Sequence, residues 1–295
     1  MDFQLPLFIT AHWLEIKDFF SSVFFTAIAG SLAGAFAGAY GAQLIAEKAK
    51  YREQLLKEIR GTNTSIMLSF GICNSLLEIK KQPVKPLKEN FDAQKTAALE
   101  FKRKRELGLI SMEQEFHYKA DFQTLSLPPL PLDILQTQVF EKVSLTGRPI
   151  SLTTTLMQTV HNLSESLAMR NKQIEIYKAK NGATTAEYFG FPVGGITNEI
   201  YPSLINAIYE QTNDGIFFSK LLCEDLMEHG NMIVVLFDKK FKNGSQTISK
   251  TNFSKAEALS LIPSADKYND WNTAFVKNLP KESKSIFSFL KKLRR

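Results

Sequence analysis

Between Asp18 and Glu47 the chain runs for 28 residues without a charged side chain. About 20 apolar residues carry a helix across the hydrocarbon core of a bilayer, so residues 19–46 are long enough to span one. Phe19, Phe20, Phe24 and Phe25 open the run. From Ala27 onward it is dominated by Ala and Gly, which contribute little transfer free energy each. A cleaved leader is the rival reading, because Ala35-Phe36-Ala37 and Ala37-Gly38-Ala39 have the small-residue form of a cleavage site. Against it, the 18 residues ahead of the run carry Asp2, Glu15 and Asp18 with Lys17 alone, the reverse of a basic n-region.

The flanks orient the span. Lys48, Lys50, Arg52, Lys57 and Arg60 follow it and one lysine precedes it. The positive-inside rule then puts the N-terminus outside and the C-terminal part in the cytoplasm, as in a single-pass protein of an inner (plasma) membrane. Within the run Gly30, Gly34, Gly38 and Ala42 recur every fourth residue and fall on one helix face, with Ala27, Ser31, Ala35 and Ala39 beside it. Small residues at this spacing let two helix backbones approach closely, and the expectation is a homo-oligomer. The competing reading is that Ala and Gly are merely common in spans. A pore lined by Ser21, Ser22, Thr26, Ser31 and Gln43 is disfavoured, because water-lining spans are more polar.

Beyond the span the pattern is helical. Leu55, Ile59, Thr62, Ile66, Phe70, Cys73 and Leu77 follow steps of four and three, so the helix is expected to continue toward Lys80, with Gly61 and Gly71 as weak points. Pro83 and Pro86 predict its end and a turn into a second, antiparallel helix from Leu87 to about Leu107. Residues 47–110 then form a helical hairpin of coiled-coil type. Leu156, Val160, Leu163, Leu167, Ile174 and Tyr177 predict a third helix. Leu204, Ile208, Phe218, Leu222 and Leu226 predict a fourth, interrupted at Asn213-Asp214-Gly215 and ending before Gly230. Phe116, Tyr118, Ala120 and Phe122 alternate with polar residues as in a half-buried strand. Residues 232–237 read as a second strand, with Asn243-Gly244 as a hairpin turn. Two short helices from Ser254, separated near Pro263, complete the expectation.

The fold class is therefore mainly α: one N-terminal transmembrane helix continuing into a cytoplasmic helical bundle, with room for a small β-sheet. Residues 1–18 form a short outer segment, 19–46 the span, 47–110 the hairpin, 111–280 a mostly helical domain and 281–295 a basic amphipathic tail. In that tail Phe289, Leu290 and Leu293 take helical spacing while Lys284, Lys291, Lys292, Arg294 and Arg295 supply charge, a pattern that lies on anionic lipid or docks on the bundle.

The chemistry-bearing patterns are sparse. Net charge is +6, and taking Lys17 from the 36 basic residues and Asp2, Glu15 and Asp18 from the 30 acidic ones leaves 35 and 27 after residue 46. That positive excess suits anionic headgroups before nucleic acid. Cys73 and Cys223 lie in apolar helical patterns without C-x-x-C spacing, as buried thiols in a reducing compartment do. His161, Glu165, Asp225 and His229 have i,i+4 spacing on two helices, but no H-E-x-x-H or Glu-x-x-His pattern is present. Residues 102–105 put four cations ahead of the aromatic alternation at Phe116, the parts an RNA-binding surface combines, although a solvated helix end accounts for them more simply. Residues 190–195 are Gly-rich without a phosphate-loop frame. No catalytic motif, cofactor or metal set is found.

The expected function is accordingly non-enzymatic. It is a single-span protein that meets the lipid bilayer, self-associates through its Gly/Ala face, and presents a helical domain for a cytosolic protein partner or for sensing. The alternatives are a triggered membrane-permeabilising effector and a membrane-anchored enzyme.

Overall fold

The computed structural model describes residues 23–276 apart from Met112, Asn243 and Ser245. The chain divides into two compact units, Met1–Leu56 and Lys57–Arg295. Helix α1, Val23–Ile79, contains the boundary. It is followed by α2 (Lys85–Glu106), α3 (Leu132–Lys142), α4 (Arg148–Ala179), α5 (Thr185–Phe189), α6 (Ile200–Phe241), α7 (Ser254–Ala258) and α8 (Asn269–Val276).

In the first unit, residues 23–46 are helical, and Ile28, Leu32, Phe36, Tyr40, Leu44 and Ile45 are exposed. Phe36 is 74% exposed and Ile45 72%, and the helix is long and apolar enough to cross a membrane, with a mean hydropathy of 1.3 in its most apolar window.

In the second unit three long helices share one core. Ile66, Ile72, Cys73, Leu76 and Leu77 of α1 pack with Leu152, Leu156 and Leu163 of α4 and Ile208, Ile216, Leu222 and Leu226 of α6. The periodic stripes expected for α1, α4 and α6 are buried, with Phe70 of α1 only partly so. Small residues let α1 and α6 approach: Ser69 donates to the Ser219 carbonyl at 2.8 Å, and Cys73 to that of Ile216 at 3.7 Å. A Cβ added at Gly215 would stand 2.8 Å from Leu76 Cδ1. Gly215 is therefore a packing residue inside an unbroken helix, which corrects the expected interruption at Asn213-Asp214-Gly215. Gly61 likewise marks a contact, not a weak point: its absent Cβ leaves room for the Lys142 carbonyl oxygen, 2.8 Å from where the Cβ would be.

The expected hairpin at Pro83 and Pro86 is not formed. The backbone stays right-handed helical through Ile79, Val84 and Lys85, and residues Lys80–Val84 widen into a π-helical turn in which Lys85 N–H donates to the Lys80 carbonyl. Proline at 83 has no amide to give, and in a regular α-helix its ring would press on the carbonyl of Ile79. A π-turn removes that clash while keeping the helix direction. Pro86 sits in the first turn of α2, where a missing amide costs nothing.

Among the described residues there is no strand, so the small sheet is also withdrawn. Residues 232–237 continue α6, whose apolar face carries the buried Phe237. Asn243 lies outside the described residues, and α6 ends at Phe241, capped by Lys242 in the left-handed conformation.

The 116–125 segment is extended but pairs with side chains instead of a second strand. Gln94 of α2 accepts from Lys119 N–H at 2.7 Å and donates to the Lys119 carbonyl at 3.0 Å. Tyr188 receives Asp121 N–H at 3.0 Å, and Tyr201 donates to the Asp121 carbonyl at 3.0 Å. Asn171 takes both backbone groups of Leu125, at 3.0 and 2.7 Å. Alternation in a sequence reports an extended backbone with one buried face. What satisfies its amides is a separate matter, and here four helices supply the partners.

Candidate functional site

The small-residue face lies in the first unit. Gly30, Gly34 and Gly38 have no atom within 4 Å of where a Cβ would stand, and Ala42 is exposed. Among the described residues nothing covers this face. The tail residues Lys284, Phe289, Leu290, Lys291, Lys292, Leu293, Arg294 and Arg295 lie outside the described residues.

The polar set on α4 and α6 is not assembled into a metal centre. Asp225 is held by Arg148, the first residue of α4, whose Nε donates to Oδ2 at 2.9 Å and whose Nη2 donates to Oδ1. That carboxylate holds the Arg148 guanidinium above its usual pKa. His229 Nε2 lies 2.8 Å from Glu58 Oε1, and the same carboxylate oxygen accepts from Ser144 N–H at 3.2 Å. Both α6 residues therefore bind the start of α4 and helix α1 to α6, while His161 and Glu165 face solvent. Among the described residues no group of three or more His, Cys, Asp or Glu is placed to hold a metal.

Cys73 and Cys223 are buried and free. Burial pushes the Cys73 thiol up to about 12 and raises that of Cys223, so neither supplies thiolate at neutral pH.

The second core is aromatic. Phe91, Tyr177, Tyr188, Phe189 and Tyr201 are buried together, with Tyr118 and Phe122 of the extended segment packed against them. Tyr188 and Tyr201 ring centroids are 4.8 Å apart, and Phe91 and Tyr188 5.6 Å. Burial raises the phenol pKa of Tyr118 to about 12 and that of Tyr201 further, which fits donors kept neutral inside a core. Arg170 is fully buried at its edge. Its Nη1 donates to the Gln123 carbonyl at 2.7 Å and its Nη2 to the Asp121 carbonyl at 3.2 Å, with Asp121 Oδ1 at 3.7 Å.

One face of α2 borders this core with an open groove of ≈ 390 Å³. Ala98, Phe101, Lys102 and Arg105 come from α2 at helical spacing, Glu115 and Phe116 from the extended segment, and Phe191 from beyond α5. The structure thus brings two of the four cations at 102–105 beside the first ring of the aromatic alternation. Arg105 lies over the Phe101 ring, 5.1 Å from its centroid, and donates to the Gln114 carbonyl. The Gly-rich loop supports the same region: Gly190 caps α5 in the left-handed conformation, and Gly194 and Gly195 form a tight turn closed by Val193 and Ile196 hydrogen bonds of 2.9 and 3.1 Å.

Arg170 and Lys80 escaped the sequence reading although a signal was present. Arg170 falls between Leu167 and Ile174 on the apolar stripe of α4, and Lys80 falls three residues after Leu77 on that of α1. Both cations are buried in the fold. Lys80 is 3% exposed, donates to the Leu261 carbonyl at 2.6 Å, and sits 5.7 Å from the Tyr209 ring centroid. Burial lowers its ammonium pKa to about 8.

No protein-family model matches the chain, and neither the curated proteins nor the solved structures contain a match to it.

Proposed function

We propose that this chain is a single-span membrane protein that self-associates through Gly30, Gly34, Gly38 and Ala42 and presents the unit from Lys57 to the cytoplasm for partner binding or sensing. The observation that carries this reading is the exposure of the apolar helix: Phe36, Tyr40 and Ile45 are each at least 65% exposed. A continuous apolar face of this length in water is a strong drive to association or membrane entry. Lipid contact accounts for the exposed Phe, Leu and Ile, and the empty space over the three glycines suits a second helix. The lysines and arginines that follow residue 46 within α1 support the orientation.

The test is mass measurement by light scattering of the full chain in mild detergent, beside Gly34→Leu and Gly38→Leu. A defined oligomer that both variants lose supports the reading. Monomers in all three cases end the self-association claim. A reporter fused at the C-terminus checks orientation, since activity restricted to the outer side of the membrane reverses it.

A further inference from the structure

We propose that the groove between α2 and the aromatic core is a binding site for a purine nucleotide. The site lies wholly within the second unit, so it stands whether or not residues 23–46 cross a bilayer. Three partly exposed rings line it, Phe101, Phe116 and Phe191. Phe101 and Phe116 are 5.4 Å apart by ring centroid, and Phe116 is backed by Tyr118 in a parallel stack at 6.4 Å. Tyr118 is in turn fixed in the aromatic core by a hydrogen bond to the Ala183 carbonyl. The Phe116 ring is therefore rigidly placed, as a stacking platform requires. Ala98, buried at 4% exposure, keeps the floor shallow beside Phe101.

The charges are arranged around those rings. Lys102 and Arg105 stand one turn apart on the same side of α2, and Glu115 faces the groove from the extended segment. Lys102 is exposed and its one ion pair among the described residues is a loose 3.9 Å approach to Glu106. Two cations with one carboxylate leave the groove with an excess positive charge suited to a phosphate group. The carboxylate has the chemistry to accept the ring or exocyclic N–H groups of a base. An inorganic anion alone would make no use of the half-exposed faces of Phe101, Phe116 and Phe191, and an apolar peptide would bring no anion to Lys102 and Arg105. A planar base carrying a phosphate uses all of them, and ≈ 390 Å³ lies within the range of small-molecule sites.

Calorimetric titration of the full chain in mild detergent, at fixed ionic strength, tests the assignment with GMP and AMP as probes and ribose 5-phosphate and guanosine as controls. Saturable binding of a nucleotide is expected, at least tenfold tighter than either control. Lys102→Ala changes an exposed side chain and is expected to leave the far-UV spectrum and melting temperature unchanged, Phe116→Leu keeps an apolar one and is expected to leave the far-UV spectrum unchanged, and each is expected to weaken the nucleotide at least tenfold. The proposal is overturned if neither nucleotide saturates, if ribose 5-phosphate binds as tightly as the nucleotides, or if folded Lys102→Ala and Phe116→Leu bind as the parent does.

Discussion

Glycine occurs inside helices in both units, and apart from Gly71, which has open space in the second unit, its surroundings differ between them. Over Gly30, Gly34, Gly38 and Gly41 there is open space, whereas Gly61, Gly215 and Gly230 are pressed by a backbone carbonyl or a side chain at 2.8 Å or less from where a Cβ would be. The same residue type lies in one unit on a face without a partner among the described residues, and at Gly61, Gly215 and Gly230 of the other on contacts already made. A helical glycine costs about 1 kcal/mol relative to alanine. In the second unit close packing offsets that cost. In the first, no contact among the described residues does, which is the physical argument for a partner helix there.

Substitution separates the two kinds. The largest expected effect is at Gly61→Ala, where the new methyl meets the Lys142 carbonyl oxygen at 2.8 Å and its Cβ at 2.9 Å. Moving backbone costs about 1–3 kcal/mol, more than alanine's propensity returns, so the melting temperature should fall by several degrees in thermal unfolding followed by circular dichroism. Unchanged or raised stability would break the distinction. Gly230→Ala is expected to cost about 1 kcal/mol, because Ile248 Cδ1 at 2.7 Å is the movable end of a side chain, although Thr62 Cγ2 at 3.0 Å limits its escape. The sign reverses at Gly71, which has nothing within 4 Å: alanine there should add about 0.5–1 kcal/mol.

A buried charge sharpens the same contrast between used and unused positions. The native pKa of Lys80 is depressed from 10.5 to about 8 by burial, with Lys85 and Lys267 adding to the shift and Glu210 opposing it. Between those two values the unfolded chain binds the extra proton, so this residue's penalty is full below pH 8 and relieved as pH rises toward 10.5. The buried thiols and phenols act in the opposite direction above pH 9. The clean measurement is therefore the stability difference between the parent and Lys80→Met, which should move in the parent's favour from pH 8 to pH 10. A difference independent of pH would show that Lys80 stays fully charged in the fold. The smallest effect is expected at Gly34→Ala and Gly38→Ala, which should leave unfolding of the second unit within about 0.5 kcal/mol of the parent.

Much of the helical architecture was legible in the residues. The stripes of α4 and α6 named the buried faces, since a 3.6-residue period in apolar side chains has one compact solution. The hairpin at Pro83 and the sheet were not, and each failed for a definite reason. Proline removes one amide and demands room near the carbonyl four residues earlier, and the chain met that demand by widening a turn instead of reversing direction. The 116–122 alternation described an extended segment with one buried side, but Gln94, Asn171, Tyr188, Tyr201 and Arg170, distant in sequence, took the place of a neighbouring strand.

The candidate sites divide in the same way. Local spacing sufficed to place Gly30, Gly34 and Gly38 on one face and Lys102 and Arg105 within one turn, because both depend on helix geometry alone. Whether Asp225 and His229 were metal ligands or structural partners depended on what stood opposite them, and only the tertiary structure put Arg148 and Glu58 there. The groove likewise required residues 101, 116 and 191 to converge. The sequence by itself determined the helical periods, the uncharged run and the charge that follows it, since these are properties of neighbouring residues. Tertiary structure decided which polar groups are satisfied and which rings face a common space, because hydrogen-bond partners and cavity walls are set by residues far apart along the chain.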